Sequence, residues 1–172
     1  MNILITSAGR RVSLVRSFQK ELKKVHENGK VFASDSEPVL SAACQIADGY
    51  FKVPKLDDPN YINNLLEICK KNNIHLVIPT IDTELLQLSK NKAELNKFGV
   101  KAVISSVDFI EKCRDKRVIH DFFESHNVNV AKEYDKNNYN LPLFIKPIDG
   151  SRSVDTYIIK DKENLTEYHF SN

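Results

Sequence analysis

A lysine at the end of an apolar run, with small polar residues close behind it, is the first feature of this sequence able to do chemistry. Residues 143–145 read as a strand core that ends on Lys146 and is stopped by Pro147, which offers no backbone N–H and restricts its predecessor. Asp149-Gly-Ser-Arg-Ser153 can then turn backbone amides toward an anion before a second β-rich run at residues 154–159. A second cation, Lys116, opens residues 115–124, an amphipathic helix whose inner face carries Ile119, Phe122 and Phe123. In a first turn it opposes the helix dipole, and on an inner face it faces the core, so an anionic partner relieves both penalties. Lys116, Lys146 and the amides of Gly150, Ser151 and Ser153 supply what a polyphosphate needs, namely point charges and oriented N–H groups. The competing reading is an ordinary hairpin with a snorkelling lysine, and a Lys116 that snorkels or pairs with Asp115.

The N-terminal half holds a second set of candidates. Ser7-Ala-Gly9 turns the strand at residues 2–6 into a helix with Val12, Val15, Phe18, Leu22 and Val25 at helical spacing. A dinucleotide fingerprint needs the glycines of G-x-G-x-x-G, and here Gly9 is followed by Arg10 and Arg11, which also argues against a dehydrogenase. Two arginines at a helix start suit a carboxylate or a phosphate, or form a solvated first turn. Asp35 follows the second strand, where doubly wound folds place a ligand-facing acid, although it equally starts the turn Asp35-Ser-Glu-Pro38. Thr80, Asp82 and Glu84 follow the fourth strand at the crevice where open α/β sheets bind ligands; a capping role for Asp82 and a first-turn role for Glu84 explain the same acids.

The elements that must position these residues alternate. Strands are expected at residues 2–6, 31–34, 50–53, 74–78 and 100–104, and helices between them include residues 39–47 and one started by Asp58-Pro59. A short helix at residues 107–113 precedes the one at 115–124. Residues 127–140 read as a loop with one short strand near 130–134, and residues 161–170 as a final helix. Fold class is therefore α/β, with a main parallel-sheet domain at residues 1–106 and a partial α+β unit at 107–172.

At 172 residues, 41% hydrophobic and 28% charged, the chain can bury one good core and a small second unit. Its 25 basic and 23 acidic residues are interspersed, so the net charge of +2 forms no stripe for nucleic acid or an anionic membrane. The start of the chain has no basic segment followed by a long apolar run, and a cytoplasmic location is expected. Cys44, Cys69 and Cys113 share no metal or redox spacing and are expected to be buried free thiols, while His120 and His126, six apart, fall on different helix faces.

Four stretches together resemble the ATP-grasp superfamily, and within it the proteins related to the carbamoyl-phosphate synthase large subunit: Ile5-Thr-Ser-Ala-Gly-Arg-Arg11, Ile78-Pro-Thr-Ile-Asp-Thr-Glu84, Asp115-Lys116, and Phe144-Ile-Lys-Pro-Ile-Asp-Gly-Ser-Arg-Ser153. The resemblance implies a Rossmann-like pre-ATP-grasp domain followed by the start of the ATP-grasp module. It implies ATP and Mg²⁺ as cofactors, a small carboxylate and an amine as substrates, and an acyl phosphate between them. Lys116 and Lys146 match lysines that contact ATP phosphates, and Gly150, Ser151 and Ser153 match the loop that folds over them. Gly9, Arg10, Arg11, Asp35, Thr80, Asp82 and Glu84 would then border the acceptor site. In this family the adenine pocket and the metal-binding acids and asparagine lie further along than Asn172. The stretch alone is therefore expected to leave ligation incomplete, with a C-terminal portion or a second chain completing the module. The alternative is a non-catalytic Rossmann-like module that binds a small anion through Arg10 and Arg11.

Overall fold

The apolar run Ile3-Leu-Ile5 becomes the middle of strand β1 (Asn2–Thr6), and the alternation of its side chains divides the core in two. Ile3 and Ile5 pack with Val15 and Leu22 of helix α1 (Val12–Val25), with Val31 and Ala33 of β2 (Lys30–Asp35), and with Ala43 and Cys44 of α2 (Ala42–Ile46). Leu4 points to the other face. There it meets Tyr61, Ile62 and Leu65 of α3 (Tyr61–Lys71), Val77 of β4 (Ile74–Pro79), Leu88 of α4 (Asp82–Lys90) and Leu95 of α5 (Lys92–Lys97). With β3 (Gly49–Lys52) and β5 (Lys101–Ala102) the sheet runs β3-β2-β1-β4-β5, and every neighbouring pair is parallel. This is the expected α/β, Rossmann-like architecture. Because helices cover both faces, β1 and β4 need nearly continuous apolar sequence. The chain winds outward from β1 to β3 and returns to place β4 on the other side of β1, which opens a crevice at the carboxyl ends of these two strands.

The computed structural model describes residues 1–149 and 153–170. The chain forms two compact units, Met1–Ile110 and Glu111–Asn172, with the division inside α6 (Val107–Arg114). In the second unit α7 (Lys116–Ser125) is capped by Asp115, whose side chain accepts from the Arg117 N–H at 2.9 Å. A two-stranded antiparallel hairpin pairs β6 (Leu143–Ile145) with β7 (Tyr157–Ile159). Leu143 and Ile159 are partners on its buried side, and Phe144 and Ile158 on its exposed side.

Several expected boundaries move, each for a local reason. Ser41 accepts from the Cys44 N–H at 3.3 Å and starts a new helix, so residues 39–47 break into a 3-10 turn (Pro38–Leu40) and α2. Asp58 spends its carboxylate on the Asn60 N–H at 2.8 Å, and α3 begins at Tyr61 behind Asn60. Ile81, not Asp82, is the N-cap of α4, and it makes no side-chain capping bond. No strand forms at residues 130–134; the only pairing nearby is an isolated bridge between Asp135 and Asn138. Left-handed backbone at Ser153 (φ 57°) and Asp155 (φ 53°) delays β7 to Tyr157, since such residues cannot continue a strand. The expected last helix becomes two 3-10 turns, Lys162–Asn164 and Glu167–Phe170, because the Thr166 N–H donates to His169 Nδ1 at 3.1 Å. Cys44 and Cys69 are buried but Cys113 is exposed, and Val25, in the last turn of α1, is 71% exposed.

Leu65 is fully buried between α3 and the sheet, so Leu65→Ala should cost about 2–5 kcal/mol. Val25→Ala should stay within about 0.5 kcal/mol. Urea unfolding of both variants checks the pair, and equal losses would contradict this packing.

Candidate functional site

At the carboxyl end of the sheet, the loop between β1 and α1 is held from three other elements. Ser7 (φ 50°) and Gly9 (φ 47°) both take left-handed backbone, a conformation that costs Ser7 more than glycine. The Gly9 N–H donates to Asp35 Oδ2 at 2.9 Å, while Asp35 Oδ1 accepts from the Glu37 N–H at 3.1 Å. Asp35 therefore fastens its own turn and the Gly9 loop together. Gly9 O accepts from Ser41 Oγ at 2.9 Å and from the Ala43 N–H at 3.0 Å. Thr80 Oγ1 donates to Ser7 O at 2.7 Å and lies 3.0 Å from Thr6 O, which ties the end of β4 to the end of β1. Arg10 and Arg11 are exposed at the tip of this loop, and among the described residues their side chains make one hydrogen bond, from Arg11 Nη2 to Thr80 O at 3.5 Å.

Glu84 lies beneath this surface. Its side chain is fully buried, one carboxyl oxygen accepting from Ser7 Oγ at 3.0 Å and the other from the Tyr61 hydroxyl. Burial pushes the Glu84 pKa up, opposed by these two hydroxyls and by Thr6, whose own Oγ1 has no partner of regular hydrogen-bond geometry. The same burial, first, and then the Glu84 charge raise the pKa of Tyr61. Asp82, two residues earlier in the same helix turn, is exposed. The sequence marks Glu84 as a first-turn acid but cannot show Tyr61, its partner from α3.

In the second unit, Lys116 and Lys146 line one cavity of about 470 Å³, within the usual range for a small-molecule site. The Lys116 Nζ and backbone N–H both donate to Ile148 O at 3.1 Å, which pins the start of α7 to the segment after β6. Asp115 pairs with Arg117 at 2.9 Å rather than with Lys116, and the Arg117 side chain lowers the Asp115 pKa to about 2. Lys146 is exposed and has no ion pair or hydrogen bond among the described residues. Five lysine or arginine side chains line the cavity (Lys116, Arg117, Lys132, Lys136, Lys146) against the carboxylates Glu133 and Asp135, so its potential favours an anion. Part of that charge is met within the unit, since Lys136 pairs with Glu167 at 2.7 Å. Tyr134 and Tyr139 add aromatic surface. These loop residues carry no motif that would mark them in the sequence. Gly150 and Ser151 lie outside the described residues; Ser153 sits in a turn, its carbonyl accepting from Thr156 Oγ1 at 3.0 Å.

Residues 3–104 match the family described as PylC-like, N-terminal domain. This chain belongs to that family. No curated protein matches the PylC-like chain by sequence. Among solved structures, it is similar to a biotin carboxylase–βγ-ATP complex from Campylobacter jejuni, with a TM-score of 0.67 and 16% identity, covering 99% of this chain and 40% of that one. It is also similar to the biotin carboxylase domain of the Hydrogenobacter thermophilus 2-oxoglutarate carboxylase, solved with MgADP, ADP and bicarbonate, with a TM-score of 0.65, 13% identity, and coverage of 94% and 38%. Glycinamide-RNase-transformylase T from Mycobacterium tuberculosis follows at a TM-score of 0.53 and 12% identity, covering 73% of this chain and 35% of that one. At such identities the likeness is one of fold, and the PylC-like chain spans less than half the length of each. No helix among the described residues is long and apolar enough to cross a membrane.

The raised Glu84 pKa has a consequence for stability. The folded chain holds this proton more tightly than the unfolded chain, so the contribution is fully present below the ordinary carboxylate pKa and is lost as pH rises through the folded value. Urea unfolding from about pH 4 upward should show wild-type stability falling through that window relative to Glu84→Gln, which has no proton to lose. Identical pH dependence in both would contradict the buried, proton-holding carboxyl.

Proposed function

We propose that this chain forms the N-terminal part of an ATP-dependent carboxylate–amine ligase, of the ATP-grasp type related to the carbamoyl-phosphate synthase large subunit. The observation that carries the reading is the convergence of Lys116, from the start of α7, and Lys146, from the end of β6, on one cation-rich cavity. Family membership and the shared carboxylase fold support it. In this reaction class a carboxylate oxygen attacks the γ-phosphorus of ATP and ADP leaves. An amine then attacks the acyl carbon, phosphate leaves, and the nitrogen gives up a proton as the amide forms. Lys116 and Lys146 neutralise charge on the phosphates and hold them in position, which is most of what a protein contributes to phosphoryl transfer. Among the described residues no group of three or more His, Cys, Asp or Glu could hold a metal ion.

Arg10 and Arg11 support a second reading, a binding module for a small anion without turnover, because both stand exposed on a loop that Asp35, Ser41 and Thr80 hold rigid. Calorimetry of Mg-ATP against the complete product of the gene separates the two. Saturable binding is expected, weakened about tenfold or more by Lys146→Ala, as for one lost charge-assisted contact, and left within about twofold by Lys20→Ala. No binding, or equal small effects of the two substitutions, would remove the nucleotide reading.

A further inference from the structure

The two edges of the first unit's sheet are not alike. β5 forms one edge with two residues, Lys101–Ala102, too short to pair usefully with a further strand. β3, four residues long, forms the other, and its backbone faces outward in a defined pattern. The odd-numbered residues of β2 turn their backbone groups toward β3: the Val53 N–H donates to Asp35 O at 3.1 Å, and the Val31 N–H donates to Asp48 Oδ2 at 2.8 Å. With Ala33 opposite Tyr50 and Asp35 opposite Lys52, this parallel ladder engages the amides and carbonyls of Gly49 and Phe51. The N–H and C=O of Tyr50 and Lys52 therefore point away from the sheet, and no loop or turn bond takes them up among the described residues. By the same alternation the Asp48 carbonyl points outward, while its N–H donates to Val31 O at 2.9 Å.

The side chains around this edge are unlike those that shield one. Tyr50 is 47% exposed, and Val39 and Leu40, at 77% and 83%, are the two most exposed large hydrophobic residues among the described residues. They stand on the 3-10 turn that packs beside β3, and Glu37 at the start of that turn pairs with Lys52 at 3.4 Å. Lys52 is the single charge within β3, and a lysine on an edge discourages strand addition unless an acid lies opposite it.

We propose that β3 pairs antiparallel with β3 of a second copy of this chain, joining the two sheets across a twofold axis at Tyr50. Only residues whose backbone groups face outward can form the hydrogen-bonded pairs, so even-numbered residues must meet even-numbered ones. Placing Tyr50 opposite the partner's Tyr50 overlaps the whole strand, and it brings each Lys52 opposite the partner's Asp48. Two hydrogen bonds then join the backbones of the tyrosines, and one runs from each Lys52 N–H to the carbonyl of the partner's Asp48. Cross-strand aromatic pairs and opposite charges both stabilise such a ribbon. Slipping the register by two residues in one direction sets Asp48 against the partner's Pro54, which has neither charge nor N–H, and in the other it runs Lys52 into the partner's Ile46, a residue of α2. A foreign strand would gain the backbone bonds without these two charge pairs, so the self-complementary edge selects another copy of itself. Every residue involved belongs to the first unit, and the proposal goes beyond the nucleotide reading without resting on it.

The test is cysteine cross-linking in the complete product of the gene, carried out after Cys113→Ser removes the exposed native thiol. Tyr50→Cys puts the two introduced thiols beside the twofold axis, with Cα atoms about 5.5 Å apart and within disulfide range. Lys52→Cys puts them four residues out of register, more than about 13 Å apart and beyond that range. Under mild oxidation Tyr50→Cys should form a disulfide-linked dimer at least about tenfold faster than Lys52→Cys. Sedimentation of the wild-type protein over about 10–500 µM should show reversible dimerisation, as suits so small an interface, weakened about tenfold or more by Tyr50→Lys, which sets like charges face to face. Circular dichroism checks that each variant folds. Equal cross-linking rates, no cross-linked dimer from Tyr50→Cys, a wild-type protein that stays monomeric, or dimerisation that Tyr50→Lys leaves unchanged would each overturn the proposal.

Discussion

A carboxyl group shut away from water fixes the carboxyl end of the sheet. An unpaired charge in such a place would cost many kcal/mol, so Glu84 must be met by donors or hold its proton. Ser7 and Tyr61 meet it from two different elements, the end of β1 and the start of α3, while the backbone of Glu84 belongs to α4. Three segments far apart in sequence are thereby held to one point. Ser7 accepts left-handed backbone in return, and the loop it begins is further fastened by Asp35 and Thr80. Rigidity at this point is what allows Arg10 and Arg11 to stand on a defined loop.

The second unit meets a related difficulty with different groups. Lys116 places positive charge where the helix dipole is already positive, and the carbonyl of Ile148 receives two of its N–H groups. Asp115 settles the rest of that helix end by capping Arg117 N–H and pairing with the Arg117 side chain. The outcome is a lysine held by a backbone oxygen, beside an exposed Lys146, in a cavity with more cations than carboxylates. An anion entering there would relieve repulsion already built into the unit.

Much of the fold was legible because its signals are local. Continuous apolar runs at β1 and β4, the helical spacing of Val15 and Leu22, and glycine at the first turn need no knowledge of distant residues. The fifth strand shrank to Lys101–Ala102, and residues 130–134 formed no strand, because a strand needs a neighbour as well as a pattern. The site was legible in part. Lys116 and Lys146 stood out as cations misplaced in otherwise apolar elements, whereas Lys132, Lys136 and Tyr139 come from a loop whose composition says only that it is polar. Glu84 was visible as an acid, but its burial depends on Tyr61, 23 residues earlier on another helix, and no spacing rule connects the two.

Lys116 and Lys146 are proposed to flank the phosphates of one bound nucleotide. An acyl-phosphate derivative of ATP tests this placement most directly, because a lysine amine close to the terminal phosphate attacks the acyl carbon, forms an amide and releases ATP. Applied to the complete product of the gene and followed by peptide mass spectrometry, the probe should label Lys116 or Lys146 ahead of every other lysine, and excess Mg-ATP should suppress that labelling. Labelling scattered over exposed lysines such as Lys20, and unaffected by Mg-ATP, would contradict it.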